Sequence, residues 1–181
     1  MSHSVTFWTE GGSSIGMGHL ARCVNVARAL KRLSITADFL VNDERSVKDR
    51  LEAEGFSFRI VSLSKEPVSV LSHAVVVIDS KKDLRRHLSM LKEAGKKVVL
   101  IDNATAPEAD TVVVPSPFHR GDRRGKLYGG SEYLIIGENF QRERNLGVSK
   151  GGHKPFKVLV TMGGADPFNL TELVVNALDR L

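Results

Sequence analysis

His19 stands at the end of a glycine-dense stretch, Thr9-Glu10-Gly11-Gly12-Ser13-Ser14-Ile15-Gly16-Met17-Gly18-His19-Leu20-Ala21-Arg22-Cys23. An imidazole takes or gives a proton close to neutral pH, so a histidine in such a loop is a candidate acid/base. Gly16 and Gly18 permit tight turns and close approach of backbone to a ligand. Ile15 sits among the glycines as an anchor. Where the loop runs into a helix, the free N–H groups and the positive end of the dipole favour an anion. Arg22, one turn further on, either grips an anionic group or pairs with an acid such as Asp79. Asp79 closes an apolar run, Ala74–Ile78, and is either a substrate ligand or a cap on the following turn. A second glycine junction, Gly163-Gly164 with Asp166-Pro167 behind it, either offers backbone N–H groups to a diphosphate or is an ordinary tight turn into a helix. Asp166 suits an N-cap and Pro167 a first helical position.

Several chemistries are disfavoured. Gly16-Met17-Gly18-His19-Leu20-Ala21 matches G-x-G-x-x-A, but the glycines lie too far beyond the first apolar run for a dinucleotide grip, and Asp43 is poorly placed as the ribose acid. No G-K-[ST] is present for a P-loop. His3, His73, His87, His119 and His153 show no metal spacing with one another or with Cys23, so neither a metal nor another cofactor is expected. Cys23 itself falls on an apolar helical stripe and reads as core. The basic stretch His119–Lys126 is either a solvated loop or a cover for a phosphate.

The elements that must position these residues alternate. Strands are expected at Val5–Trp8, Ala37–Val41, Phe58–Leu63, Ala74–Ile78, Lys97–Ile101 and Thr111–Val114, with a further short one at Tyr133–Ile136. Helices are expected at Gly18–Leu33, Ser46–Glu54 (closed by Gly55), Lys82–Ala94 and Asn139–Asn145. Phe118–Ser131 reads as a surface loop and Leu146–Pro155 as a linker. After it come a strand at Phe156–Val160 and a helix from about Phe168 to Leu181. This pattern predicts an α/β, Rossmann-like, mostly parallel open sheet over 1–150. Residues 151–181 are then the linker and first βα unit of a second domain, or a last unit docked on the same sheet. In such sheets ligands bind beyond the carboxyl ends of the strands, where Thr9–Gly18, Asp79-Ser80 and Asp102-Asn103 all fall.

The chain has 181 residues, a 41% apolar fraction, one cysteine and a formal net charge of +5. A packed core is expected, without a disulfide framework, which suits a reducing, cytoplasmic setting. The start of the chain lacks a signal peptide and no apolar run spans a bilayer, which leaves peripheral membrane association open. The charge is too dispersed to argue for nucleic acid.

Taken together, G-S-S-I-G-M-G-H-L-A-R-C and V-L-V-T-M-G-G-A-D-P-F-N-L-T resemble the PseG/SpsG-type nucleotide-sugar hydrolases, relatives of the MurG-like glycosyltransferases of GT-B fold. The resemblance spans residues 5–181. It implies the N-terminal domain of a two-domain GT-B architecture and an enzyme acting on a UDP-linked diacetamido-trideoxyhexose, in pseudaminic acid or spore coat polysaccharide synthesis. His19 would be the base that activates water; Gly16, Gly18, Arg22 and Asp79 would serve the sugar side; Gly163, Gly164 and Asp166 would face the nucleotide. Three positions, in two places, depart from the family pattern. Trp8 and Glu10 stand where R-x-D is common, and Lys81 stands where an aromatic residue often follows the strand-ending aspartate. A glycosyltransferase using the same cleft and a non-catalytic sugar-binding module are the alternative readings. A fragment of such a protein is expected to lack full activity.

Overall fold

The structure is a computed structural model, and it describes residues 3–61, 71–103, 108–119, 126–145, 158–163, 166 and 168–180. Seven strands are assigned: β1 (Ser4–Thr9), β2 (Thr36–Val41), β3 (Ser57–Ile60), β4 (Val75–Asp79), β5 (Lys97–Ile101), β6 (Thr111–Val114) and β7 (Leu127–Gly129). The helices are α1 (Gly18–Arg32), α2 (Arg45–Glu54), α3 (Arg85–Glu93), α4 (Glu138–Asn145) and α5 (Leu170–Leu178). The strands form one sheet in the order β3-β2-β1-β4-β5-β6-β7. Every pairing is parallel.

Side-chain alternation along the central strands explains why both faces are covered. Phe7 stands beside Phe39 and Val77, and Trp8 beside Leu40 and Ile78. The first row packs with Leu20, Cys23, Val24 and Ala27 of α1 and Val47 and Leu51 of α2. The second packs with Leu84 and with Leu88 and Leu91 of α3. The Phe7 and Phe39 rings stack with centroids 5.1 Å apart. A strand buried on both faces must be apolar at consecutive positions, which is what V-V-V-I in β4 supplies. α1 has its apolar residues at helical spacing, and Lys31 and Arg32 at its carboxyl end suit the dipole. α2 stops at Gly55, whose φ of 69° is left-handed.

From β1 the chain steps outward to β2 and β3, then returns to place β4 on the other side of β1. The order reverses at β1/β4, so the crevice beyond the carboxyl ends of these two strands is the expected ligand position. Thr9 and Asp79, the last residues of the two strands, are register partners.

Some elements differ from expectation. β7 lies inside Phe118–Ser131, read as a loop. It is a three-residue edge strand, too short to carry an apolar period, and it needs a partner on one side only. Tyr133–Ile136 is not a strand. A 3₁₀ turn occupies Ser131–Tyr133, and Leu134 and Ile136 are exposed while Ile135 packs against the α1 side of the core. α3 begins at Arg85 rather than Lys82, because the Asn103 amide donates to the Ser80 and Lys82 carbonyls and holds that segment out of the helix. Residues 158–160, expected to be strand, are not paired. The linker 146–155, residues 120–125 of the basic loop, and Gly164 and Pro167 lie outside the described residues.

Candidate active site at the sheet's reversal point

The loop after β1 folds on itself. Gly12 and Gly16 exchange backbone hydrogen bonds of 3.2 and 2.8 Å, closing a small hairpin with Ser13, Ser14 and Ile15 at its tip. Gly12 needs its glycine, since its φ is 138° and a Cβ would meet the Glu44 side chain at 2.9 Å. The base of the loop is held by Asn42, whose side chain accepts from Gly11 N at 3.0 Å and donates to Gly11 O at 2.8 Å. Asn42 is not among the residues that the sequence motifs single out, yet it stands just past the end of β2, the same strand-end position that marks Asp79 and Asp102.

The hairpin delivers the chain into α1 with His19 and Arg22 facing Asp79. The Asp79 carboxylate is fully buried. His19 Nδ1 lies 2.6 Å from its Oδ1, and Arg22 donates to it twice, from Nε and Nη2, each at 2.8 Å. A carboxylate only accepts, so it selects the Nδ1–H tautomer and leaves the Nε2 lone pair available for a proton. Nε2 has no protein partner among the described residues. Arg22 also donates from Nη1 to Asp102 Oδ2 at 2.9 Å. Burial works against the Arg22 charge, but Asp79 and Asp102 outweigh it and hold the guanidinium pKa above its ordinary value. Burial likewise opposes the Asp102 charge, and Lys81 and Arg22 outweigh it, so its carboxyl lies below the ordinary range.

Ile15, Gly18, His19, Arg22, Lys81 and Asp102 line a cleft of about 350 Å³. Gly16 belongs to the hairpin rather than to the cleft wall. Asp79 lies behind His19 and Arg22, so its carboxylate meets these side chains and not the cleft. Trp8 and Glu10, which depart from the family pattern, also have definite places. Trp8 is buried in the core on the α3 side. Glu10, 5% exposed, accepts from Ser80 Oγ at 2.9 Å and from Lys82 Nζ at 2.6 Å, tying the two loops of the reversal point together.

Beneath the site, burial pushes the Cys23 thiol far above its ordinary pKa. The thiol is core, as its place on the stripe predicts. At the other junction, Gly163 has a left-handed φ of 82°. α5 starts at Leu170 with Asn169 as its cap residue, so Asp166 is not the N-cap and Pro167 not the first helical position as expected; the Asp166 carboxylate still accepts from the backbone N–H of Leu170 at 2.8 Å and of Thr171 at 2.9 Å. No group of three or more His, Cys, Asp or Glu with metal-site geometry occurs among the described residues. Among them, too, no helix is long and apolar enough to cross a membrane.

A comparison with solved structures places this architecture. The fold is that of MurG. The crystal structure of Acinetobacter baumannii MurG superposes with a TM-score of 0.62 over 99% of this chain and 57% of that one, at 15% sequence identity. The sheet is therefore the Rossmann-like type found in the GT-B architecture. No protein-family model matches the chain. Among curated proteins it is 26% identical to an uncharacterized protein of Methanocaldococcus jannaschii over 94% of its length. It is 24% identical to the spore coat polysaccharide biosynthesis protein SpsG of Bacillus subtilis over 98% of its length. The chain spans 38% and 55% of these two relatives. It is a distant homologue of SpsG with the fold of MurG.

Proposed function

We propose that this chain carries the catalytic half of an enzyme that hydrolyses a nucleotide sugar at the bond between sugar and diphosphate. The reading rests on one observation above all: a histidine at the sheet's reversal point is oriented by a buried carboxylate at 2.6 Å while its other nitrogen is left without a protein partner. Water attacks the anomeric carbon as His19 Nε2 takes its proton. The new C–O bond forms while the old one breaks, and its electron pair leaves on the diphosphate. Asp79 holds the imidazole in its tautomer and stabilises the imidazolium that forms. Arg22 completes the cage around Asp79. Gly16 and Gly18 shape the loop that carries His19.

The relatedness to SpsG and the MurG fold support a nucleotide-sugar-related enzyme; the proposal of a UDP-linked diacetamido-trideoxyhexose, as in nonulosonate synthesis, follows from the resemblance of the two glycine motifs. On this reading residues 1–150 form the sugar-side domain. Residues 151–181 open a nucleotide-side domain in which Gly163 and Gly164 face the diphosphate and Asp166 fixes the helix behind them. The rival reading is a glycosyltransferase in which a sugar hydroxyl replaces water.

Mass spectrometry of a panel of UDP- and CMP-sugars incubated with the full-length protein separates these outcomes. Free sugar and nucleotide released without an acceptor support hydrolysis, and strict acceptor dependence supports transfer. Release of nucleotide from none of them overturns both. His19→Asn is expected to lower turnover on the order of 10²–10⁴-fold, the usual contribution of a positioned base. Unchanged turnover in that variant would indicate a non-catalytic role for the loop.

A further inference from the structure

Lys81 and Asp102 line the cleft and have no part in the proton chemistry; their geometry points to a different role. Asp102 Oδ2 is engaged twice, by Arg22 Nη1 at 2.9 Å and by Lys81 Nζ at 2.7 Å. Asp102 Oδ1 has no partner among the described residues. Lys81 Nζ also donates to the Asp102 carbonyl at 2.8 Å. An ammonium has three hydrogens, so one remains. The wall thus presents one fixed acceptor, Asp102 Oδ1, next to one unused donor, Lys81 Nζ. We propose that this pair is a hydrogen-bonding clamp for a neutral sugar hydroxyl, a group that gives one hydrogen bond and takes another.

Charge decides against an anionic ligand here. Arg22 and Lys81 are balanced by Asp79 and Asp102, so the four groups sum to zero and both cations are already paired. A phosphate at this wall would find no uncompensated cation, and a sugar carboxylate would meet the open oxygen of Asp102. The pair is also held ready. Asp102 keeps a left-handed φ of 57°, unusual for a residue with a side chain, while its N–H donates to Val113 O at 2.7 Å. The next residue, Asn103, grips the carbonyls on either side of Lys81, at Ser80 and Lys82. Groups fixed before binding lose little freedom when the ligand arrives.

The clamp rests on the reading of the cleft as a nucleotide-sugar site, and a binding readout keeps the two separable. Calorimetric titrations of the full-length protein would use UDP, UDP-glucose, UDP-galactose, UDP-N-acetylglucosamine and UDP-glucuronate, with Lys81→Met and Asp102→Asn as variants. Each variant is expected to weaken the best-bound neutral UDP-sugar about tenfold, the worth of one hydrogen bond to a charged group. Affinity for UDP should stay within about twofold, since UDP lacks the clamped group. UDP-glucuronate should bind the wild type more weakly than UDP-glucose. Unchanged affinity for the neutral sugars in Lys81→Met, an exposed position where folding is not at stake, would overturn the clamp. So would an equal loss for UDP, or a preference for glucuronate. Binding that depends on the pair, without turnover of any panel member, would retain the clamp and sink the hydrolase. Absence of binding to every compound would remove both.

Discussion

At the residue scale, the site is one carboxylate with two cationic or protonatable neighbours. Asp79 is buried, and its four close approaches leave it no solvent to fall back on. Two are to Arg22 nitrogens, one is to His19 Nδ1, and one is the Thr9 hydroxyl donating to its backbone carbonyl at 3.2 Å. Asp79→Asn keeps the shape but offers a donor where His19 needs an acceptor. On the proposed reading, in which Asp79 orients the base and touches no substrate, turnover of the full-length protein is expected to fall at least ~10²-fold while KM stays within about threefold. A loss confined to KM would mean that Asp79 binds substrate directly. Cys23 gives a second test at this scale. A buried thiol whose pKa is raised has almost no thiolate to react. Labelling by a disulfide reagent should be slow in the native protein and immediate in urea, and fast native labelling would place Cys23 at the surface.

The elements set the site by where they end. β1, β4 and β5 stop at Thr9, Asp79 and Ile101, and the segments that follow carry Ile15, Lys81 and Asp102 to the wall of the cleft. α1 contributes His19 and Arg22 from its amino-terminal end while Leu20, Cys23, Val24 and Ala27 lock it to the sheet. A helix anchored on four buried positions holds the imidazole against Asp79, the fixed geometry that the proposed proton transfer requires. α2 tests the punctuation of these elements. Gly55 ends it in a left-handed conformation, with nothing within 4 Å of the position a Cβ would take. Gly55→Ala should cost about 1 kcal/mol in urea denaturation, from backbone strain alone. Its cost separates backbone from packing effects, and a cost several times larger would show that space, not φ, constrains the turn.

At the scale of the molecule, the two glycine junctions belong to differently built regions. The first lies on a sheet covered on both faces. The second leads into α5, which buries none of its side chains and leaves Leu173 66% exposed. If residues 151–181 open a second unit, truncation after Asn145 should leave the Tm within about 5 °C, since little apolar surface is returned to water. A drop of more than about 10 °C would mean that this segment packs on the first sheet instead. The same division explains why the charge-neutral wall suits the sugar. On the proposed reading, the phosphates fall to backbone N–H groups around Gly163 and Gly164 rather than to the paired cations at Arg22 and Lys81.

Periodicity made the sheet readable, because a strand covered on both faces has to be apolar at successive positions and a covering helix has to repeat its apolar residues by the turn. That is why β1, β2, β4, β5, β6 and α1 were legible from residues alone. The short edge strand β7 and the delayed start of α3 were not, since each depends on one partner distant in sequence: β6 for the first and Asn103 for the second. The sequence by itself determined the parallel fold, the loop bearing His19 and the polar residues at the strand ends. Only the tertiary structure decided what those residues do to each other. It turned Asp79 from a possible ligand into the buried partner of His19 and Arg22, it assigned Asn42 to the base of the loop, and it left Asp102 with one oxygen committed and one open. Such pairings join residues as far apart as 80 positions along the chain, and no local pattern records them; the parallel pairing of β1, β4 and β5 brings their carboxyl ends side by side and these residues within hydrogen-bond reach.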